Sequence, residues 1–384
     1  MPVDLWNDAA RMVGCGLSVA AVAAPVGLAS WVLARRAGQP VLPRFRPWRV
    51  SWSGFEVIVA VLVLNLVVPA LMFVALAQSP FFQMVYGAEF PRLTEVPAPS
   101  LEASAAVVGA VAAIVDHDHR MEISAVRGLW TGTISLPVQL GLLLAAWLVM
   151  YRRWPGRGLV AVLLARISLA VITWAGLTMV VLGVHAVVNW AFTELGWLTE
   201  DHPLSKLSAA RPTIDHVLFF FQAGVAAPVI EEVLFRGVLL GWLVGGRSLL
   251  VGPPGPRFPR PSADRRVWPV LVIGVGAAAV MAHEPGGALT LAVVTRGPVL
   301  FALGLLAGWV VLRQMTRKRR TVGAVYASAS LFAVVHSGVW PSPIPLFVLG
   351  LGLGWLAVRT RGPLAPAIVH GLFNAVSVLF VLRT

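Results

Sequence analysis

Long apolar runs alternate with short polar loops along the 384-residue chain. A helix that crosses a hydrocarbon core of ~30 Å needs about 20 mostly apolar residues, and on that criterion the sequence holds roughly ten candidate runs. They lie near residues 12–34, 53–78, 128–150, 164–192, 216–245, 267–283, 297–313, 321–338, 344–358 and 363–382. Several later runs are short or contain Gly and Pro and are predicted to be tilted, broken or re-entrant. The predicted fold class is therefore all-α, a polytopic transmembrane bundle of about 8–10 helices.

Composition supports a membrane setting. Hydrophobic residues make up 58% of the chain and charged residues 12%, whereas a soluble domain carries about 25% charged residues. The net charge of +13 does not indicate nucleic-acid binding, because the arginines cluster in short loops between apolar runs. Cys15 is the only cysteine, which excludes an internal disulfide and a thiolate metal cluster. The first apolar run lacks a cationic leader before it and is predicted to be a retained helix.

The loops predict an orientation. Basic residues follow every odd-numbered run, and the other loops are acidic or mixed. Positively charged loops stay in the cytoplasm, so both termini are predicted to lie outside. A long external loop then covers residues 79–127, and a Pro-, Gly- and Arg-rich cytoplasmic loop covers residues 247–266. The sequence Asp-His-Asp-His at 116–119 could bind a metal ion, but we expect a solvated turn.

The later runs contain an internal repeat. Residues 300–313 match residues 346–359 without a gap at eight of fourteen positions, and the matches include a Gly-Trp pair and an arginine. An apolar run that ends in a histidine, His283 or His336, precedes each copy. The pattern predicts a duplicated helical hairpin. We therefore divide the chain into an N-terminal transmembrane region, 1–214, and a core, 215–384, with a hairpin inserted over about 267–320.

Two acids stand out from the other charged residues. Of the 17 acidic residues, Glu231 and Glu232 alone fall well inside an apolar run. Charge at the bilayer centre costs at least ~2.5–3.5 kcal/mol per group, so both acids should face the protein interior or a water-filled cavity. Glu232 and Arg236 are four residues apart and can pair. Glu231 points about 100° away and has no obvious local cation. It therefore suits general-base work on water, although a purely structural buried ion pair is the alternative.

Histidines provide further polar positions in the late runs. His370 and Asn374 lie four residues apart, so both project from one helical face. Their N–H groups could hold a developing oxyanion in a low-dielectric site. Phe332 and His336 share a face in the same way. A lone histidine on an apolar helix is often only a packing residue, but polar clusters in three helices favour a shared site.

Three motifs follow one another in an order typical of one family: Glu231-Glu232-x-x-x-Arg236, Phe332-x-x-x-His336 and His370-x-x-x-Asn374. Together they resemble the CAAX prenyl endopeptidase and bacteriocin-processing family, also called CPBP or Abi. The residues around Arg236 also resemble the first motif of the family, because Val233-Leu234-Phe235 precedes Arg236 and Gly237 follows it. The resemblance covers about residues 215–384, and the first four runs carry no family signal.

The resemblance implies an intramembrane endopeptidase that hydrolyses peptide bonds of a membrane-associated protein or peptide. The residues that it assigns to catalysis are Glu231, His336, His370 and Asn374, and those that shape the site are Glu232, Arg236 and Phe332. Glu231 would activate water with help from His336, while His370 and Asn374 would stabilise the oxyanion. No metal site and no cofactor is assigned. Zinc is not excluded, because Glu231, His336 and His370 could form an open three-ligand site.

One departure from the family pattern concerns the first two motifs. An extra hairpin and a long Arg- and Pro-rich loop separate them, which leaves open whether His283 or His336 faces Glu231. Phe332 lies one turn before His336 and could fix its ring, whereas the small Ala279 occupies that place before His283. We therefore assign catalysis to His336.

The alternative function is a membrane transporter or a proton or cation relay that uses the same buried Glu, Arg and His residues. Twofold similarity between the two halves of the chain would support it, but only the local hairpin repeat is visible. A third possibility is a catalytically silent scaffold. The expected partners are a peptide or protein substrate and the lipid bilayer, with no nucleic acid. The expected location is the bacterial cytoplasmic membrane. Neither the substrate nor a need for prenylation follows from the sequence.

The orientation can be tested with reporter fusions after residues 40, 110, 255 and 318. The basic loops predict cytoplasmic signal at 40, 255 and 318 and external signal at 110. External signal at 255 or 318 would invert the topology and the side from which a substrate enters.

Overall fold

The computed structural model describes residues 3–40, 42–43, 50, 52–78, 80, 135, 138–139, 141, 159–197, 213–245, 263–282, 296–316 and 320–381, and their regular structure is helical throughout. We number the helices in chain order. Seven are simple: α1 (Val3–Arg36), α3 (Leu159–Glu194), α5 (Ala263–Met281), α6 (Gly297–Thr316), α7 (Arg320–Val334), α8 (Pro343–Thr360) and α9 (Leu364–Val381).

Two further helices change their winding along their length. Helix α2 comprises Gly54–Leu62 and Val68–Ala77 with a π-helical turn, Val63–Val67, between them. Helix α4 alternates α-helical and π-helical segments, which are Thr213–Phe221, Gln222–Ala226 (π), Ala227–Glu232, Val233–Leu239 (π) and Leu240–Gly245. The two candidate acids lie at the end of its central α-helical segment. π-Helical turns are rare and often mark functional sites.

The fold is that of an integral, multi-pass membrane protein. Among the described residues, six helices are long and apolar enough to span a membrane, and two shorter apolar helices cover Arg266–Val280 and Thr321–Val334. The predicted all-α class is confirmed. Nine of the ten predicted runs correspond to α1–α9, while the run at 128–150 lies outside the described residues except at four helical positions. The predicted loops 79–127 and 247–266 also lie largely outside them.

Helix α8 runs antiparallel to both α3 and α7. A methyl group on Gly352 of α8 would meet Leu177 of α3 at 2.5 Å, and nine residues further along α8, Arg361 interacts electrostatically with Arg166 of α3. In the same way Gly350 and Gly354 of α8 approach Ala329 and Val325 of α7. These contacts fix the directions of α3, α7 and α8.

The arginines gather at one end of this bundle. Arg313 near the end of α6 lies 6.0 Å from the Trp268 ring near the start of α5, and Arg266 donates a hydrogen bond to the Trp242 carbonyl at the end of α4. Arg166 and Arg361 lie near the ends of α3 and α8 that meet there. We call this side the basic end. It is the arrangement that the positive-inside pattern predicts, whichever side of the membrane it faces.

Two apolar clusters flank the centre of the molecule. One joins α1, α3, α8 and α9 through residues such as Val19, Trp174 and Leu353. The other joins α4, α5, α6, α7 and α8 through residues such as Leu240 and Leu271. Helices α4, α7 and α9, which carry the three sequence motifs, meet between the two clusters.

The repeated hairpins occupy different environments. Helices α5 and α6 form the first hairpin and α7 and α8 the second, and both α5 and α6 pack against α7. Trp309 of α6 is 4% exposed, whereas its counterpart in α8, Trp355, is 48% exposed. The glycines differ too: a methyl group on Gly350 would lie 3.1 Å from the Ala329 Cα, but one on Gly304, its counterpart, would meet nothing within 4 Å.

This glycine pair gives a matched test of the helix packing. We expect Gly350→Ala to lower stability by about 1–3 kcal/mol, because the added methyl group presses on the backbone of α7. Gly304→Ala should be neutral or stabilise by up to ~1 kcal/mol, because alanine favours the helix. Thermal unfolding of the two purified variants compares them directly. Equal melting temperatures would contradict the close approach of α7 and α8.

Candidate active site

The two acids of α4 occupy different environments although they are neighbours in sequence. The Glu232 side chain is 0% exposed and the Glu231 side chain 28% exposed. Successive helical residues point about 100° apart, so one acid faces the interior of the bundle while the other borders accessible space. The Glu231 side chain therefore borders space that a substrate or water could enter, although its Oε2 is buried, whereas Glu232 is enclosed.

Glu232 holds a fully buried network across two helices. Its Oε1 accepts a hydrogen bond from Arg236 Nη1 at 2.7 Å and one from His370 Nδ1 at 3.0 Å. Arg236 is 0% exposed, so each charge depends on the other for compensation. The spacing of Glu232 and Arg236 predicted their pairing, whereas the contact with His370, which lies on α9, could not be read from spacing.

Phe332 of α7 completes the buried side of the site. The Arg236 guanidinium lies 4.2 Å from the centre of the Phe332 ring, a cation–π distance. The same ring lies 4.8 Å from the His336 ring and 5.6 Å from the His370 ring. Phe332 therefore contacts the buried arginine and both imidazoles.

The end of α7 fixes the tautomer of His336. The backbone N–H of His336 bonds to the Ala333 carbonyl, and the Phe332 carbonyl accepts a hydrogen bond from His336 Nδ1 at 2.7 Å. A carbonyl can only accept, so Nδ1 carries a proton. In a neutral ring the free lone pair is then on Nε2, the nitrogen that faces Glu231.

The imidazole rings of His336 and His370 converge on Glu231. Its Oε2 lies 3.8 Å from His336 Nε2 and 3.9 Å from His370 Nε2. Both distances are too long for a direct hydrogen bond and suit one through water. Within the described part of the chain, Glu231 Oε2 has no hydrogen-bond partner.

Asn374 lies one turn after His370 on α9. Its Nδ2 donates a hydrogen bond to the Ala223 carbonyl at 2.8 Å, which leaves a second N–H on the amide. Ala223 belongs to the first π-helical segment of α4, and the residue five positions later, which would donate to its carbonyl in a π-helix, is Pro228. Proline has no N–H, so the Asn374 amide satisfies this carbonyl.

Close packing accompanies that bond. A methyl group on Gly371 would lie 2.9 Å from the Gly224 carbonyl oxygen, so only glycine permits this approach of α9 to α4. Pro228 also explains the local winding, because its ring would collide with the carbonyl four residues earlier in a regular α-helix. The length and apolar character of this run predict one regular helix, and Pro228 is the residue that marks the departure from it.

Other side chains also bond to carbonyls of the second π-helical segment. Ser328 of α7 donates to the Phe235 carbonyl at 3.0 Å, and Trp52 donates to the Val238 carbonyl at 2.9 Å. Helix α7 is therefore tied to α4 near the acids. Neither contact follows from a motif, and neither residue was predicted to support the site.

The structure thus brings six of the seven predicted site residues into contact with one another and places Asn374 on the helix of His370, bonded to α4. Their catalytic roles stay predictions. His283 lies outside the described residues, as does the run 116–119. Among the residues that are described, no group of three or more His, Cys, Asp and Glu side chains is arranged to hold a metal ion.

Comparison with known proteins identifies the class. The fold defines a multi-pass membrane protein, and an acid beside two histidines is an arrangement that can activate water. A family model described as Rce1-like, type II CAAX prenyl endopeptidase, matches residues 213–316 and 309–376. Residues 213–376 match this family, which confirms the resemblance to CPBP proteins over that part of the chain and supports a CAAX-type membrane-embedded peptidase. No curated protein and no solved structure matches the chain significantly. The family match does not favour a transporter or relay.

The buried network predicts that the two adjacent acids differ in their effect on folding. Glu232→Gln should cost about 3–5 kcal/mol, because it leaves the Arg236 charge buried without its partner. Glu231→Gln should change stability little. Thermal unfolding and membrane abundance of the two variants measure the difference.

A second substitution tests the cause. Adding Arg236→Met to Glu232→Gln removes the stranded charge and should recover part of the lost stability. Equal stability of the wild type and Glu232→Gln would show that the pair does not hold α4 in place.

Proposed function

We propose that this protein hydrolyses peptide bonds with a water molecule activated by Glu231 and His336. The observation that carries the proposal is the convergence of Glu231 Oε2 with two imidazole nitrogens at 3.8 and 3.9 Å, on the accessible side of a buried ion pair. A water that donates one O–H to Glu231 and the other to His336 Nε2 directs its lone pairs away from both groups, toward a substrate carbonyl.

In the reaction Glu231 first accepts one proton from the water and later donates it to the leaving nitrogen. As the water oxygen bonds to the carbonyl carbon, Glu231 takes a proton from it. When the C–N bond breaks, Glu231 returns that proton to the leaving nitrogen. The products are a carboxylic acid and an amine, so Glu231 ends the cycle as it began. His336 orients the water, and its Nδ1–H remains bonded to the Phe332 carbonyl.

His370 and Asn374 would stabilise the oxyanion. Because His370 Nδ1 donates to Glu232, its Nε2 can donate to an oxyanion only if the ring carries both protons. Asn374 would contribute the N–H that is not bonded to Ala223. Both donors would act in a low-dielectric site, where such bonds are strongest.

The substrate class follows from the family. Its description names CAAX prenyl endopeptidases, so a membrane-associated protein with a C-terminal CAAX sequence is the first substrate to test, with a bacterial cytoplasmic membrane as the expected location. The two family matches overlap within α6, the first copy of the repeated hairpin. This supports the division of residues 215–384 into a protease core with an inserted hairpin.

The role of Glu231 can be tested with full-length protein in liposomes and fluorogenic C-terminal peptides, supplied in prenylated and unprenylated forms. Glu231→Gln keeps the size of the side chain but cannot accept the proton, so cleavage should fall by ~10²-fold or more. Thermal unfolding serves as the control for folding. Wild-type turnover by a folded Glu231→Gln protein would disprove the mechanism, and cleavage of only one peptide form would define the need for prenylation.

The repeat offers a matched control for His336. We expect His336→Ala to abolish cleavage, because it removes the ring that positions water beside Glu231. His283→Ala, at the corresponding place in the other hairpin, should leave most of the activity. The same assay distinguishes them, and the reverse pattern would show that the first hairpin lines the site.

A further inference from the structure

Two arginines at the basic end form an unusual pair outside the candidate active site. Arg166 lies in the first turns of α3, and Arg361 lies in the turn between α8 and α9, with a φ of 53°. They are close enough to repel each other electrostatically. Arg166 is half-buried, and its Nη1 is buried without a hydrogen-bond partner in the described part of the chain.

No acidic side chain among the described residues pairs with either arginine. Arg166 is only partly exposed and Arg361 is exposed to solvent, so an anion that bridges them would offset the repulsion between the two charges. The buried N–H on Arg166 that has no partner would also gain from a bound anion, because an unpaired buried N–H costs free energy. Guanidinium groups suit a tetrahedral oxyanion, since each can donate two parallel hydrogen bonds to a phosphate.

The surroundings point to a lipid as the source of that phosphate. The pair lies where membrane-spanning helices end, which is the depth of the lipid headgroups. Basic pockets between helices at this depth bind anionic headgroups. Large apolar side chains nearby in sequence are exposed, Trp355 by 48% and Leu364 by 46%, and can contact acyl chains. Arg359, whose Cζ lies 5.8 Å from the Trp355 ring, adds a third charge on the same stretch.

We propose that Arg166 and Arg361 bind the phosphate of an anionic phospholipid and thereby join α3 to the turn between α8 and α9. Neither residue belongs to the candidate active site, so the proposal does not depend on the proposed chemistry. A bound lipid would hold the start of α9, the helix that carries His370 six residues further on.

The test uses full-length protein in nanodiscs of phosphatidylcholine alone or with phosphatidylglycerol. Native mass spectrometry measures the bound lipid, and thermal unfolding measures its effect. Phosphatidylglycerol should bind to the wild type and raise its melting temperature. Arg166→Gln and Arg361→Asn should each weaken that binding roughly fivefold or more, since each removes one cation at the membrane surface. Asparagine tolerates the positive φ at 361, so this variant should fold.

Arg36→Gln is the matched control, because it removes one exposed arginine from the end of α1 and should leave lipid binding nearly unchanged. A third arm adds inorganic phosphate to nanodiscs of phosphatidylcholine. Equal lipid binding by all variants would overturn the proposal. Stabilisation by inorganic phosphate at the level of phosphatidylglycerol, lost in Arg361→Asn, would overturn the lipid as occupant and assign the pair to a soluble phosphate.

Discussion

One carboxylate oxygen, Oε1 of Glu232, holds the centre of this molecule together. It accepts hydrogen bonds from Arg236 in its own helix and from His370 in α9. A charge removed from water in this way is stable only with such partners. Because the Arg236 guanidinium also lies on the Phe332 ring, the same ion pair positions α7. Three helices that are far apart in sequence are therefore aligned by a single buried charge pair.

The adjacent acid is available for chemistry because Glu232 satisfies this structural requirement. Glu231 lies about 100° around the helix, where its side chain is 28% exposed and faces two imidazole nitrogens. Glu232 could not take the place of Glu231, because its carboxylate is fully buried and already accepts two hydrogen bonds. Neither water nor a substrate reaches it. Both histidines use Nδ1 to bond to the protein, at Phe332 and at Glu232. Both therefore direct Nε2 toward the same oxygen, which concentrates the reactive nitrogens around Glu231.

Local sequence patterns predicted much of this arrangement, and their failures have physical causes. Apolar run length predicted the helices, because a bilayer fixes that length, and four-residue spacing predicted the Glu232–Arg236 pair. Spacing could not predict the bond between Glu232 and His370, which joins residues 138 positions apart. The π-helical segments of α4 were missed, although Pro228 marks the first of them. The choice between His283 and His336 depended on the single residue Phe332, and the place of His336 beside Glu231 follows only from the packing of α7 against α4.

Helix α7 separates the hairpin formed by α5 and α6 from the residues around the acids. Helix α7 has two faces: Val334 is buried against α5 and α6 in an apolar cluster, while Phe332 faces Arg236 and His370. The hairpin formed by α5 and α6 therefore packs on the side of α7 that is turned away from the acids. Phe332 corresponds to Ala279 in the first copy, and an alanine methyl cannot cover a guanidinium or stack on an imidazole. The two copies share a fold, but only the second has the side chain on which the position of the buried ion pair depends.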